Sequence, residues 1–354
     1  MTNNDFKFNH HNVCCISDIH VGVHQNSQLW LDIANQWVDW LVIELTNHNI
    51  KDIIICGDLF HYRDEIAVNT IHHVTNLMYK LKQFNIIMLV GNHDAYYKDR
   101  SDVNSLSIFS GWDNITIVEN ETYIHKQFER TYSFVPWGED INQTTASDII
   151  FGHFEIQNFK FNHSKICTHG LKPTKILDKT DLIITGHFHT REERSYKNGD
   201  IVYLGNPYQM DFGDTGQTKG YYILNLKNNG YTFHKNTISP THEKLVLSEL
   251  IKHGDIDDII KNRITKNIVR FVVDKHIGSD DIDKLLTLFN SFKPLTLTTD
   301  YTINFDNFGI SDDNETDLSG ISIERAIDEF VNLLDVEDKK HIIDYTIKLY
   351  KKCK

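Results

Sequence analysis

Seven side chains of this sequence have the chemistry of divalent-metal ligands and recur in one setting: Asp18, His20, Asp58, Asn92, His153, His187 and His189. They belong to SDIH (17–20), GDLFH (57–61), GNHD (91–94), GHFE (152–155) and GHFHT (186–190), each following a short apolar run. Imidazole nitrogen and carboxylate oxygen are ligand types of Mn²⁺, Fe²⁺ and Zn²⁺. One such residue alone is ordinarily a satisfied structural histidine or a helix cap; five ordered segments are not explained that way. Seven potential ligands exceed what one ion takes, and Asp58 has two oxygens with which to bridge two ions. Two ions about 3.5–4 Å apart activate water and grip the oxygens of a phosphate, which suits phosphoester hydrolysis. His93 and Asp94 follow Asn92. An imidazole there protonates the leaving oxygen or stabilises charge, and Asp94 is expected to orient it.

Positioning these groups requires strands. The runs Val13–Ile16, Ile53–Cys56, Ile86–Val90, Ile149–Phe151 and Leu182–Thr185 are rich in Ile and Val and lack alternation. That pattern predicts strands buried on both faces. Between the early ones, Leu29–Thr46 and Ala67–Phe84 carry apolar stripes at helical spacing (Leu29, Ile33, Trp37, Trp40, Leu41; Ile71, Val74, Leu77, Met78, Leu81). Strand–helix–strand alternation predicts an α/β layered fold with its site at the carboxyl ends of strands, so the five segments predict one site. Residues 1–243 read as this domain, closed by hairpin-linked strands after Ile201. Residues 244–305 read as a small separate α/β domain, with helix over 244–262, strand over 268–273, helix over 279–289 and strand over 295–304. The segment 306–320 is acidic and poor in apolar residues and reads as a linker. The tail, 321–354, resumes helix as an amphipathic pair, one stripe being Ile323, Ala326, Ile327, Phe330 and Leu334 and the other Ile342, Ile343, Ile347 and Leu349.

The chain has 354 residues, 36 Lys and Arg against 49 Asp and Glu, a formal net charge of -13 and 20 histidines. That length supports a real core without structural disulfides or metals. The acidic balance speaks mildly against nucleic acid as partner, although bound cations or a partner subunit can supply positive field. No apolar run reaches the roughly 20 residues of a membrane span, and the start has no signal pattern. Five cysteines without a CxxC (Cys14, Cys15, Cys56, Cys167 and Cys353) fit a reducing cytoplasm, the first three as small buried hydrophobes.

DxH, GD, GNHD, GH and GHxH in this order resemble the calcineurin-like metallophosphoesterase superfamily. The resemblance implies two sheets in a sandwich flanked by helices, and a phosphoesterase activity. Within that superfamily GDLFH, the segment DVNSLSIFS (102–110) after GNHD, and more loosely YLGNPYQMDFGDTGQTKGYYIL (203–224), resemble the SbcD-type double-strand-break nucleases. Asn206 stands there for the usual Ser, and Asp214 stands near the acidic position. The short tail is similar to that of the T-even-type phage members. The likeness covers 13–226 well and 244–354 only in architecture.

The resemblance implies two Mn²⁺, with Mg²⁺ as the alternative. One would be held by Asp18, His20, Asp58 and His189, the other by Asp58, Asn92, His153 and His187. It further implies His93 as the catalytic histidine and His61 as a residue steering DNA. A second histidine of the fourth motif has no counterpart, Phe154 following His153. It implies a homodimer through the helices near 67–84 and 102–110, a DNA-contacting cap at 244–305, and C-terminal helices that bind an SbcC-type ABC ATPase. The expected function is thus a DNA exonuclease and endonuclease. The alternatives are a small-molecule phosphodiesterase or nucleotidase of the same superfamily, and a non-catalytic scaffold. Arg63, Lys98, Arg100, Arg191, Arg194 and Lys197, in loops after the metal motifs, are candidate phosphate contacts.

Overall fold

Strands that are apolar on both faces need a layer on each side, and the chain supplies them. The structure is a computed structural model. It describes residues 6–302, except 120, 142–143, 162–164, 255 and 276, and in the tail 327–328, 331–332 and 338–352. The first sheet runs β12-β11-β1-β2-β3-β4: β1 (Asn12–Ile16), β2 (Asp52–Ile55), β3 (Asn85–Leu89), β4 (Ile115–Val118), β11 (Gly220–Asn225) and β12 (Tyr231–Lys235). β1 to β4 are parallel, and β11 returns antiparallel beside β1. The second sheet runs β5-β6-β7-β8-β10-β9: β5 (Tyr123–Gln127), β6 (Arg130–Val135), β7 (Ile149–His153), β8 (Leu182–Gly186), β9 (Glu192–Tyr196) and β10 (Gly199–Tyr203).

Alternate residues of each strand go to different cores, as a period of two requires. Between the sheets lie Val13, Cys15, Ile54, Ile87 and Leu89 from one side and Phe134, Ile149, Phe151, Ile184 and Val202 from the other. Cys14, Ile16, Ile53, Ile55, Ile86 and Met88 face outward onto helices α2 (Gln28–Asn47) and α3 (Val68–Lys80), which bury Leu31, Trp37, Leu41, Val74, Leu77 and Met78. A single turn, α1 (Val23–Asn26), precedes α2, and the short α4 (Pro173–Leu177) covers the second sheet with Phe159 and Phe188. Cys14, Cys15, Cys56 and Cys167 are all free and buried. The segment expected as a short helix near 102–110 is a 3-10 turn over Ser105–Phe109.

A third sheet of three parallel strands, β13 (His242–Val246), β14 (Ile268–Val273) and β15 (Thr296–Tyr301), has its own core of Leu245, Val269, Phe271, Ile260 and Phe289. Its first segment corrects the reading of 244–262 as one helix. That stretch is the end of β13, then α5 (Leu247–His253) and α6 (Asp258–Ile264). Gly254, at φ 92, ends α5, and Asp257 caps α6 by accepting the N–H groups of Ile259 and Ile260. Helix α7 (Ser279–Ser291) crosses from β14 to β15. His242 ties this sheet to the rest: its N–H donates to Gln209 Oε1 (2.6 Å) and its ring stacks on Trp30.

Residues 303–354 form a separate unit. Of it, α8 (Lys339–Lys352) is an amphipathic helix with Tyr345 and Leu349 exposed. The linker expected at 306–320, and Ile323, Ala326, Phe330 and Leu334 of the first tail stripe, lie outside the described residues. Among the described residues no helix is long and apolar enough to cross a membrane.

Candidate active site

The segments after β1, β2 and β3 meet those at the ends of β7 and β8. The backbone continues the β1–β2 pairing past the strand ends: Asp18 N donates to Gly57 O (3.1 Å) and His20 N to Asp58 O (3.0 Å). Asp18, His20, Asp58 and His187 all have positive φ, at 54°, 49°, 56° and 92°. Such conformations cost of order 1–3 kcal/mol each and persist where the surroundings over-determine them. Gly57, at φ 91°, packs so closely that a Cβ would come within 2.5 Å of His153 Nδ1 and 2.9 Å of Gly91 Cα. The glycine of this segment is there to let three strand ends close on one point.

The side chains assemble into two groups. In one, His20 Nε2 and His189 Nε2 are 2.9 Å apart, with Asp18 Oδ1 3.9 Å from His20 Nε2. In the other, Asn92 Oδ1 lies 2.9 Å from His153 Nε2 and 2.7 Å from His187 Nδ1. Asp58 Oδ2 faces both, 3.3 Å from His153 Nε2 and 3.6 Å from His20 Nε2. All seven predicted ligands are thus within one cluster. The rings are fixed from behind. His153 Nδ1 donates to Cys56 O (2.7 Å), which turns Nε2 inward. His187 N donates to both oxygens of Asp18 (3.1 and 3.2 Å).

The donor set fits divalent cations. Asp18 and Asp58 are 0% and 1% exposed, and buried carboxylates beside imidazoles call for positive charge. Burial would raise the Asp58 carboxyl, but His153 beside it holds it below the ordinary carboxylate range. Burial pushes the His20 imidazole well down, leaving a neutral ring with a lone pair to offer. Asp18 with His20 and His189, and Asp58 with His153 and His187, bring their donor atoms close enough together to hold a metal ion each.

His93 stands against this cluster. Its N–H donates to Asp58 Oδ1 (2.8 Å), its ring is edge-on to His20 at 4.7 Å, and Nδ1 bonds to the carbonyl of His61 (2.6 Å). That carbonyl, and not Asp94, orients the ring. Asp94 is 1% exposed and accepts the backbone N–H groups of Asp58 (2.8 Å), Phe60 (3.0 Å) and Gly91 (3.1 Å). It braces the loop that carries Asp58, because its carboxylate lies under that loop and away from the imidazole. Burial, then the Asp58 charge, pushes the Asp94 carboxyl up to about 7, against the pull of those donors. His61 stacks on His93, 5.4 Å between centroids, and its Nδ1 is 3.3 Å from His20 Nδ1. Burial, then His93, pushes it down to about 4. His20, His61 and His93 thus form a third imidazole cluster.

Two residues outside the predicted set, Glu155 and Trp137, also touch the site. Glu155 Oε1 is 3.2 Å from His187 Nε2, a carboxylate behind a candidate ligand histidine, and Glu155 Oε2 is 3.3 Å from His169. Trp137 stacks on His187 at 5.1 Å while its Nε1 donates to Lys98 O (2.9 Å). Glu155 stands in GHFE, two residues after His153, so its presence was visible but its direction was not. Three of the candidate phosphate contacts are engaged within the chain. Arg100 pairs with Asp102 (3.0 Å), Arg191 with Glu193 (2.7 Å) and Arg194 with Glu192 (2.5 Å).

Residues 11–191 match the calcineurin-like phosphoesterase family. The chain belongs to that family. It is similar to the SbcD subunit of nuclease SbcCD from Staphylococcus epidermidis, 23% identical over 94% of this chain and 97% of that protein. The SbcD subunit from Staphylococcus saprophyticus is 22% identical over 91% and 92%. Among solved structures, an archaeal phosphodiesterase superposes on 64% of the chain (99% of its own) at TM-score 0.36 and 12% identity. GAP50, the anchor in the inner membrane complex of Plasmodium, superposes on 65% (86% of its own) at TM-score 0.42 and 13% identity. The family, with the two-sheet α/β architecture, makes the chain a metal-dependent phosphoester hydrolase.

Proposed function

We propose that this chain is a Mn²⁺-dependent DNA nuclease, with exonuclease and endonuclease activity, that works with an SbcC-type ABC ATPase in DNA end processing and recombination. The observation that carries the hydrolytic reading is the pair of donor groups sharing Asp58 Oδ2. The choice of DNA rests on similarity to the SbcD nucleases that runs past residue 191, through the third sheet and into the tail. Asp18, His20, Asp58 and His189 would hold one cation, and Asp58, Asn92, His153 and His187 the other. When bound, two such ions supply an activated water and neutralise the phosphate's charge. The chain's own groups do the rest. The His61 carbonyl accepts the Nδ1–H of His93, so that in the imidazolium form of the ring the Nε2–H would donate to, or protonate, the departing oxygen. Asp94 keeps the Asp58 loop rigid. His61, beside His93, is placed to steer the strand.

The third sheet is proposed as a DNA-contacting cap and α8 as part of an ATPase-binding tail, an amphipathic helix suited to a groove. A homodimer is proposed through α3, which leaves Val68 (83%), Tyr79 (61%) and Ile71 (37%) exposed, with Val103 (48%) and Ile108 (46%) nearby in sequence. With a net charge of -13, the ATPase partner would supply much of the non-specific DNA affinity; tight duplex binding by the isolated chain at physiological salt would count against that.

The test is hydrolysis of a labelled duplex with a free 3′ end, in Mn²⁺, Mg²⁺ or EDTA, beside bis-p-nitrophenyl phosphate. Mn²⁺-dependent nucleotide release should fall about 10²–10⁴-fold in His93→Ala. Cleavage of the small diester alone, even with the ATPase added, would replace the nuclease by a small-molecule phosphodiesterase.

A further inference from the structure

The segment 203–224 does not itself supply a ligand, yet it encloses a buried ion pair directly behind one. Lys219 is 5% exposed. Its ammonium, with three N–H groups to share, lies within hydrogen-bond distance of four acceptors: Asp214 Oδ1 (2.7 Å), Gln217 Oε1 (2.8 Å), Asn206 Oδ1 and the backbone carbonyl of His189 (2.7 Å). The N–H of Asn206 reaches the same carbonyl at 3.3 Å. Asp214 is satisfied in turn by Asn206 Nδ2 and Met210 N, both at 2.9 Å. Gly205, at φ 69°, lets this loop approach: a Cβ there would lie 2.8 Å from His189 O.

A lysine is costly to bury, and pairing with Asp214 alone would not require the His189 carbonyl to be part of the cage. Of the lysine's acceptors, only that carbonyl belongs to a residue of the site. His189 follows the end of β8 by three residues and precedes β9, so no strand pairing holds its backbone. We propose that Lys219 is a positioning residue that fixes the backbone of His189 and thereby sets divalent-cation affinity in the Asp18–His20–His189 group. This rests on the assignment of that group as a metal site. Groups that orient a ligand are worth about 10–100-fold in metal affinity.

The experiment is a Mn²⁺ titration by calorimetry on the full chain, with Lys219→Met, His189→Ala and the two combined. Because Lys219→Met strands Asp214 as a buried charge, Lys219→Met with Asp214→Asn is measured as well, and secondary structure is checked in each. Wild type is expected to bind two equivalents. The Lys219 variants should weaken one of them about 10–100-fold and leave the other unchanged. In the His189→Ala background, Lys219→Met should change Mn²⁺ affinity no further, although it still lowers thermal stability. Two equivalents of wild-type affinity in a folded Lys219 variant would overturn the proposal. So would additive losses in the combined variant, or loss of both equivalents. Absence of Mn²⁺ binding by wild type would overturn the metal site instead, and this proposal with it.

Discussion

At the residue scale, the site is a set of imidazoles and carboxylates whose directions are imposed by neighbours. Glu155 is the clearest test. Its carboxylate accepts from His187 Nε2, so Nδ1 is left facing Asn92. Glu155→Ala should lower Mn²⁺ affinity about 10–100-fold in the group containing Asn92 and leave the fold intact, read by metal titration and circular dichroism. Asp18, His20, Asp58, Asn92, His153, His187 and His189 were legible in the sequence as one cluster of candidate ligands, because such chemistry restricts residue type and each sits beside a strand end. Glu155, Trp137 and Lys219 were not. A Glu or a Lys is ordinary at a surface and a Trp ordinary against a core, and only the tertiary fold says that these three turn toward the site. Asp94 shows the converse: its place in GNHD marked it, but spacing alone did not distinguish a partner of His93 from an acceptor for the loop of Asp58.

At the element scale, runs of Ile and Val located β1, β2, β3, β7 and β8, since burial on both faces leaves a continuous apolar signature. The helices α2 and α3 were equally legible from their stripes. The misreading of 244–262 has a local cause. Lys244–Leu250 reads KLVLSEL, in which the leucines and the valine suit either period, and the break depends on Gly254 and Asp257 acting together. The third sheet holds itself together through Phe289, which is 0% exposed and meets Phe271 edge-on at 5.3 Å. Phe289→Ala should cost about 3–5 kcal/mol there. Hydrogen exchange should speed up in β13–β15 and stay slow in β1–β3, with Mn²⁺ binding at the strand ends unchanged.

At the scale of the whole molecule, α3 uses one face for the core and offers another to solvent. Val68→Glu with Ile71→Glu should leave the monomer folded and shift a dimer to monomer in sedimentation; an unchanged dimer would place the interface elsewhere. The order in which the chain is made meets a further constraint. β11 pairs with β1, Asn225 opposite Asn12, so the first strand waits roughly two hundred residues for its antiparallel neighbour. Until then one edge of the first sheet is an open template for other chains. The stretch that matches the family ends at residue 191, before β9, β10, β11 and β12 exist. Translation therefore delivers every proposed ligand of the site while the sandwich is still unclosed. A fragment ending at residue 200 should be protease-sensitive and prone to aggregate, whereas one ending at residue 302 should resist digestion. During synthesis this protein would be most exposed to misassembly just when its proposed metal-binding residues are already complete.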